Sequence, residues 1–177
     1  LVITKNPSLE STEGLAKLES VGGALSITHN DSLLNIAGLE GIEAVKSLSI
    51  THNEKLQSIE GLNQLKAVEG NINIWKNASL ETVSGLGQLN SLGGDLMIYE
   101  NNSLKDVENL DDLKVVGLDL VITKNAKLEE ITLDAVEEVA GEFKITDNTA
   151  LTYLSMAGLK EIGGQANLSS DELDTLS

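Results

Sequence analysis

The two histidines of this chain, His29 and His52, are its first candidates for acid–base or metal chemistry. They stand 23 residues apart, at equivalent positions of a repeated pattern, so we expect their side chains to stack on adjacent coils. Such a pair could ligate a metal ion, but protein metal sites need further ligands and no third ligand has a defined position here. We therefore predict solvated surface histidines, without a metal site and without a cofactor.

Other catalytic constellations are missing from the sequence. The chain has no cysteine to act as a thiol nucleophile, and no arginine for carboxylate-based catalysis on a parallel β-helix. A serine–histidine–carboxylate triad is not indicated, because both histidines fall on a repetitive, exposed column. The phosphate-binding pattern GxxxxGK does not occur. We predict that the protein is not an enzyme.

The net charge of the chain limits the classes of partner that it can bind. Its formal net charge is −16, from 28 acidic residues and 12 lysines, whereas nucleic acids and anionic membranes require a basic surface. We predict neither partner, and the lack of an 18-residue apolar run predicts no membrane insertion. Clusters such as Asp111, Asp112 and Asp119 lack a calcium-loop motif, so we expect them to be solvated charged faces. The high negative charge also predicts that the isolated domain is monomeric.

A repeat of 23 to 24 residues positions all of these side chains. The repeating unit is LxIxxNxxLxxIxGLxxLxxVxGx, and its asparagines are Asn6, Asn30, Asn53, Asn77, Asn101, Asn125 and Asn148. Apolar residues two apart in LxI predict a short strand with one buried face, and those three apart predict tight turns or short second strands. Stacking one coil per repeat places the LxI strands in a parallel sheet, about 4.8 Å apart.

The fold predicted for residues 1–177 is therefore a single all-β domain, a parallel β-solenoid with about seven full coils and a partial one. We expect the chain to be a piece of a longer protein. The eighth asparagine position is occupied by Asp171, and Asp174 stands where a leucine is expected. These departures predict that the last coil is incomplete.

Two columns of the repeat have structural roles. The asparagines are expected to form a buried ladder that hydrogen-bonds to turn backbone in neighbouring coils, which would make the sequons at Asn30, Asn77 and Asn101 poor glycan sites. A glycine column predicts turns that need positive φ or close backbone approach. It comprises Gly14, Gly38, Gly61 and Gly85, with Asn109 as the replacement that best tolerates the left-handed region.

The segments LAKLESVGGALSITHNDSL and LGQLNSLGGDLMIYENNSL carry a family resemblance. They resemble the receptor L-domain branch of the leucine-rich repeat superfamily, which includes the ligand-binding domains of insulin- and growth-factor-type receptors. The lack of cysteines and insertions is closer to related microbial surface repeats. The resemblance covers essentially the whole chain and implies a right-handed solenoid, an extracellular or cell-surface location, and binding of proteins or glycans on the sheet face. It transfers no binding residue, because such proteins share a scaffold and vary its surface.

One interruption of the exposed sheet columns indicates a binding site. Most coils carry threonine or serine after the second apolar strand residue, but two adjacent coils carry the only tryptophan and one of the two tyrosines. The predicted ligand-binding residues are Trp75, Tyr99, Met97, Asn73, Thr51, Thr123, His52, Lys76 and Glu100. Two exposed rings on neighbouring rungs could anchor a protein, receive a sugar, or only stabilise the sheet.

Charge on the same face gives a weaker indication. Lys5, Lys76 and Lys124 lie in the column beside the ladder asparagines, which favours an acidic or neutral ligand there. The leading hypothesis is a secreted or cell-surface recognition and adhesion module that binds a protein or glycan through the sheet face. The competing hypothesis is a structural spacer or stalk without a specific ligand.

Overall fold

The computed structural model describes residues 1–169 and the backbone of residues 175–176. It is an all-β structure in which parallel sheets stack as a β-solenoid of about seven turns, so the predicted fold class is confirmed. Asp171 and Asp174, on which the prediction of an incomplete last coil depends, lie outside the described residues.

The front sheet is built from the LxI segments. Neighbouring strands are parallel and in strict register, with Thr51 opposite Trp75 and Trp75 opposite Tyr99. The two inward apolar residues of each inner strand are buried. In sheet order the strands are Val2–Thr4, Leu25–Thr28, Leu48–Thr51, Ile72–Trp75, Leu96–Tyr99, Leu120–Thr123, Phe143–Thr146 and Ala166–Leu168.

The second sheet contains the short strands that precede the turn into the next front-sheet strand. One strand residue points into the core, and the other faces outward. Its strands are Ala44–Val45, Ala67–Val68, Ser91–Leu92, Val115–Val116, Glu138–Val139 and Glu161–Ile162.

The third side of the coil changes along the solenoid. In early coils it is formed by the 3-10 helices Glu13–Leu15, Glu60–Leu62 and Ser84–Leu86. In later coils, two of which have one residue fewer at this turn, it is a sheet. The strands of that sheet are Asp106–Val107, Glu130–Thr132, Tyr153–Ser155 and Thr175–Leu176. Asp106–Val107 belongs to a coil of full length, so the sheet begins one coil before the turn shortens.

The core is a continuous stack of aliphatic layers. Every coil contributes leucine, isoleucine or valine from each of its three sides, and most of these side chains are fully buried. Full burial of one such side chain stabilises by roughly 1.5–3 kcal/mol. In the first coil the equivalent residues, among them Ile3, Leu9 and Leu15, are only partly buried, because the structure has no coil before them to cover them.

The asparagine ladder is confirmed. Asn77 Oδ1 accepts hydrogen bonds from the backbone N–H of Asn53 at 3.2 Å and from its side-chain amide at 3.1 Å. The Asn77 amide donates to the carbonyl oxygen of Ile50 at 2.9 Å. Every inner member of the ladder is buried, accepts from the backbone N–H of the asparagine before it and donates to a strand carbonyl, whereas Asn6 in the first coil is exposed. The asparagines of the sequons at Asn30, Asn77 and Asn101 are therefore buried.

The glycine column has mixed causes. Gly38 has φ +94° and Asn109 has φ +65°, as predicted for a left-handed turn. A Cβ on Gly61 or Gly85 would clash with the carbonyl oxygen of the preceding coil, so close approach explains them. The prediction was wrong for Gly14, where neither positive φ nor a close neighbour is found.

A second, shorter ladder was not predicted. Asn71 Oδ1 accepts from the Asp95 N–H at 3.1 Å, Asp95 from Asp119 at 3.0 Å, and Asp119 from Glu142 at 2.7 Å. Side-chain oxygens of this ladder lie where a Cβ of Gly94 or Gly141 would be. The glycines before the strand therefore leave room for acceptors that satisfy backbone N–H groups of the next coil.

Candidate functional site

Four aromatic rings form a continuous row along the solenoid. His29 stacks on His52 with ring centroids 4.4 Å apart and planes 9° from parallel. His52 and Trp75 meet in a T-shaped arrangement at 4.4 Å and 70°, and Trp75 stacks on Tyr99 at 5.2 Å and 10°. We call these four residues the ring row; it crosses four successive coils.

Backbone geometry places the histidines beside the strand residues. The residue before each ladder asparagine has a left-handed conformation, with φ between 54° and 58°. These residues are Lys5, His29, His52, Lys76, Glu100, Lys124 and Asp147. A left-handed conformation costs a non-glycine residue about 1–2 kcal/mol, yet it turns the chain sharply enough for the next side chain to enter the ladder. The turn brings His52 against Trp75, one coil away and one position earlier in the repeat.

The ring row covers one side chain that the sequence predicts to be exposed on the sheet face. Thr51 pairs in register with Trp75 and is only 5% exposed, so it offers a ligand little surface. The larger ring on the next strand covers the shorter threonine. Trp75 and Tyr99 themselves are half-buried, as are Asn73 and Met97 in the outward column beside them.

The ring row offers edges and polar tips to solvent, since stacking covers much of the inner ring faces. Neither the indole N–H of Trp75 nor the hydroxyl of Tyr99 hydrogen-bonds to a residue in the described part of the chain. Burial, with a smaller contribution from the Glu100 carboxylate, raises the pKa of Tyr99, so its hydroxyl remains a neutral donor at physiological pH. These two groups could bond to polar atoms of a partner.

A groove of about 580 Å³ runs alongside the ring row. Its walls come from the left-handed column and from the residues that follow the ladder asparagines. The lining residues are His29, Asp31, His52, Glu54, Lys76, Ala78, Glu100 and Asn102. We call this feature the ladder groove; its volume lies within the range of ordinary ligand sites.

Charges in the ladder groove are unevenly paired. Lys76 Nζ lies 3.8 Å from a Glu100 carboxylate oxygen and 5.1 Å from the Trp75 ring centroid, so its charge is partly compensated. Asp31 and Glu54 form no ion pair with any described residue. The groove therefore has three carboxylates, from Asp31, Glu54 and Glu100, against the one ammonium group of Lys76.

His52 is held neutral at physiological pH. Burial lowers its pKa most, His29 and Lys76 lower it further, and Glu100 and Asp31 act in the opposite direction. Its Nδ1 atom is buried and has no hydrogen-bond partner within residues 1–169. Protonation would therefore place an unsatisfied positive charge beside His29.

The structure separates the predicted site residues into two groups. Trp75, Tyr99, His52, Lys76 and Glu100 adjoin one another in the ring row and the groove. Thr123 pairs in register with Tyr99 on the adjacent strand, but its hydroxyl lies 3.0 Å from that of Thr146, on the side away from the ring row. The groove residues Asp31, Glu54 and Asn102 were missed, although their shared position after a ladder asparagine was visible in the repeat.

Two further observations concern metal binding and membrane insertion. Among the described residues, no three histidine or acidic side chains converge in a geometry that could hold a metal ion. In the same part of the chain, no helix has the length and apolarity needed to cross a lipid bilayer.

Fold and site together define a parallel β-solenoid with an aromatic row and an adjacent groove on its front sheet. No protein-family model, no curated protein and no solved structure matches the chain. The class therefore rests on the geometry of the chain itself.

Proposed function

We propose that this protein is a recognition module that binds a protein ligand through the ring row and the front sheet around Met97. The observation that carries the proposal is the pair of half-buried rings whose indole N–H and hydroxyl have no partner within the described chain. Rings that served only to stabilise the sheet would not need to present unpaired polar tips to solvent. Tryptophan and tyrosine are also the side chains that most often dominate binding energy at interfaces.

A protein ligand is favoured over a glycan by the direction of the rings. A sugar stacks on an aromatic face, but Trp75 and Tyr99 stack on each other, which covers one face of each ring. Ring edges and polar tips suit backbone and side-chain groups of a polypeptide.

The wider setting belongs to the same proposal. The repeat resembles receptor L-domain-like leucine-rich repeats, and we propose a microbial cell-surface or secreted location and a role in adhesion. The support for it is the resemblance of the repeat together with a solenoid whose long front sheet carries few charges. No enzymatic step is part of this function.

The test is a double variant, Trp75→Thr with Tyr99→Thr. Threonine occupies the same position in Thr28, Thr123 and Thr146, so the sheet should tolerate the change. A displayed protein library and a glycan array would each be screened for binders of the parent chain. Loss of two central aromatic anchors is expected to weaken a selected protein binder by about 30-fold or more.

A matched control removes exposed apolar side chains from another face. Val115→Thr with Leu118→Thr changes two residues that are 41% and 51% exposed and lie away from the ring row. Binding unchanged by both double variants, with circular dichroism showing intact folds, would favour the spacer hypothesis. Glycan binding that depends on Trp75 and Tyr99 would replace the protein ligand with a carbohydrate.

A further inference from the structure

We propose that the ladder groove binds an extended, lysine- or arginine-containing segment of the protein ligand. This inference rests on the proposed function and names the chemistry of the partner at one part of the site. A cationic segment differs from the acidic or neutral ligand that the column of Lys5, Lys76 and Lys124 favours when it is considered alone.

Unpaired carboxylates are the first support. Asp31 and Glu54 occupy the same position in successive coils, so they lie side by side on one wall, about 4.8 Å apart along the solenoid axis. Neither has a cationic partner among the described residues, whereas Lys76 is engaged by Glu100 and Trp75. A cationic side chain in this half of the groove would neutralise both carboxylates.

The neutral His52 is the second support. It lines the groove together with Asp31 and Glu54, and burial and its neighbours hold it neutral. A neutral His52 beside two carboxylates leaves their negative charge uncompensated at physiological pH. The chain as a whole, at −16, would steer a cationic segment towards this surface.

The length of the groove fits an extended polypeptide. Its lining residues come from four successive coils, which span about 14 Å at the spacing of parallel strands. An extended chain rises about 3.3 Å per residue, so roughly four to five residues would lie in the groove. The polar tips of Trp75 and Tyr99 border this path and could bond to the backbone of that segment.

Two labelled peptides of equal length, alternating lysine–alanine and alternating glutamate–alanine, test the inference by fluorescence anisotropy. Emission from Trp75, the only tryptophan, reports whether binding occurs beside the ring row. We expect saturable binding of the lysine peptide with a change in Trp75 emission, and no binding of the glutamate peptide. Asp31→Asn with Glu54→Gln should weaken lysine-peptide binding about fivefold or more.

A matched pair of carboxylates controls for overall charge. Asp111→Asn with Asp112→Asn removes the same charge from an exposed turn outside the groove, between the third-side and second-sheet strands. This control should weaken binding less than twofold at 150 mM salt, because such distant charges are screened. Equal weakening by the two double variants would overturn the inference, since attraction would then be general.

Acidification provides an independent readout. His52 is faced by His29, Lys76, Glu100, Asp31 and Trp75, and Glu54 lines the same groove. As the pH falls from 7.5 to 5, a proton gained by His52 offsets part of the negative charge of the groove, so lysine-peptide affinity should fall. In His52→Gln, much of this pH dependence should disappear, and its full persistence would contradict the inference.

The results separate this inference from the proposed function. If a selected protein binder requires Trp75 and Tyr99 but is unaffected by Asp31→Asn with Glu54→Gln, and the lysine peptide does not bind, then the proposed function stands and the cationic segment is wrong. Preference for the glutamate peptide, or displacement of the lysine peptide by micromolar calcium or zinc, would also overturn it. If neither double variant weakens the selected binder, the proposed function itself is wrong.

Discussion

At the scale of single residues, the ladder asparagines illustrate how a side chain can substitute for secondary structure. Each inner asparagine satisfies a backbone N–H of the coil before it and a strand carbonyl of that same coil. These groups are buried at a turn, where no strand partner could reach them. The left-handed residue before each asparagine has a conformational cost that this hydrogen bonding offsets.

Replacing Asn77 by alanine should therefore be strongly destabilising. The change leaves the Asn53 N–H and the Ile50 carbonyl without their ladder partner in a buried site. Each unsatisfied buried group costs about 1–3 kcal/mol, so we expect the free energy of unfolding to fall by roughly 3–5 kcal/mol. Urea denaturation, monitored by circular dichroism, measures this change in the free energy of unfolding.

Asn6→Ala is the control for this change. Asn6 is exposed in the first coil, and its backbone N–H keeps Asn30 Oδ1 as acceptor after substitution. A loss below about 1 kcal/mol is expected, because water replaces the side-chain bonds. Similar losses in the two variants would show that burial does not set the cost.

At the scale of elements, the third side of the coil changes from helical turns to strands along the solenoid. The turns at Glu60–Leu62 and Ser84–Leu86 are 3-10 helices whose central glycines touch the coil before. Glu130–Thr132 and Tyr153–Ser155, in coils with one residue fewer at this turn, are paired strands. Asp106–Val107 pairs with them from a coil of full length, so turn length alone does not decide the element.

Gly85→Ala should be destabilising by about 3 kcal/mol. The added methyl group would clash with the carbonyl oxygen of Ile59, and backbone in a packed core yields little. Thermal or urea unfolding of the variant measures the loss.

Gly14→Ala provides the comparison within the same column of the repeat. No atom lies within 4 Å of a Cβ at Gly14, and the helical turn Glu13–Leu15 accepts alanine. We expect no loss of stability, or a gain of about 0.5 kcal/mol from reduced freedom of the unfolded chain. A loss equal to that of Gly85→Ala would contradict close approach as the reason for the glycine.

At the scale of the whole molecule, each coil contacts mainly its two neighbours. The sheets pair strands only from adjacent coils, so stability is expected to be approximately a sum over coils and the interfaces between them. The ring row and the ladder groove depend on four successive coils, and they should survive changes elsewhere in the stack.

Deletion of residues 102–125 should preserve the fold. This segment is one complete 24-residue repeat, and its removal joins Asn101 to Ala126 in the register that Asn125 had. We expect a β-type circular dichroism spectrum, all four rings retained, and a free energy of unfolding lower by roughly one-seventh.

Deletion of residues 102–113 removes half a coil and should disrupt the later coils, because it places inward positions outward. Equal stability of the two deletions would refute the coil as the folding unit.

The sequence by itself determined the solenoid, the front sheet and the asparagine ladder. These features follow from a period and from residue type, and identical coils must stack in register to bury their LxI faces. It also placed Trp75 beside Tyr99 and His29 beside His52, because neighbours at equivalent repeat positions become neighbours in space.

Only the tertiary structure joined these pairs into one ring row and revealed the groove beside it. The contact between His52 and Trp75 links different columns of the repeat and depends on the left-handed φ of His52, which residue type did not indicate. Burial of Thr51 and the difference between Gly14 and Gly85 likewise depend on what the adjacent coil places there. Periodicity states which residues align, whereas contacts between columns require the path of the backbone.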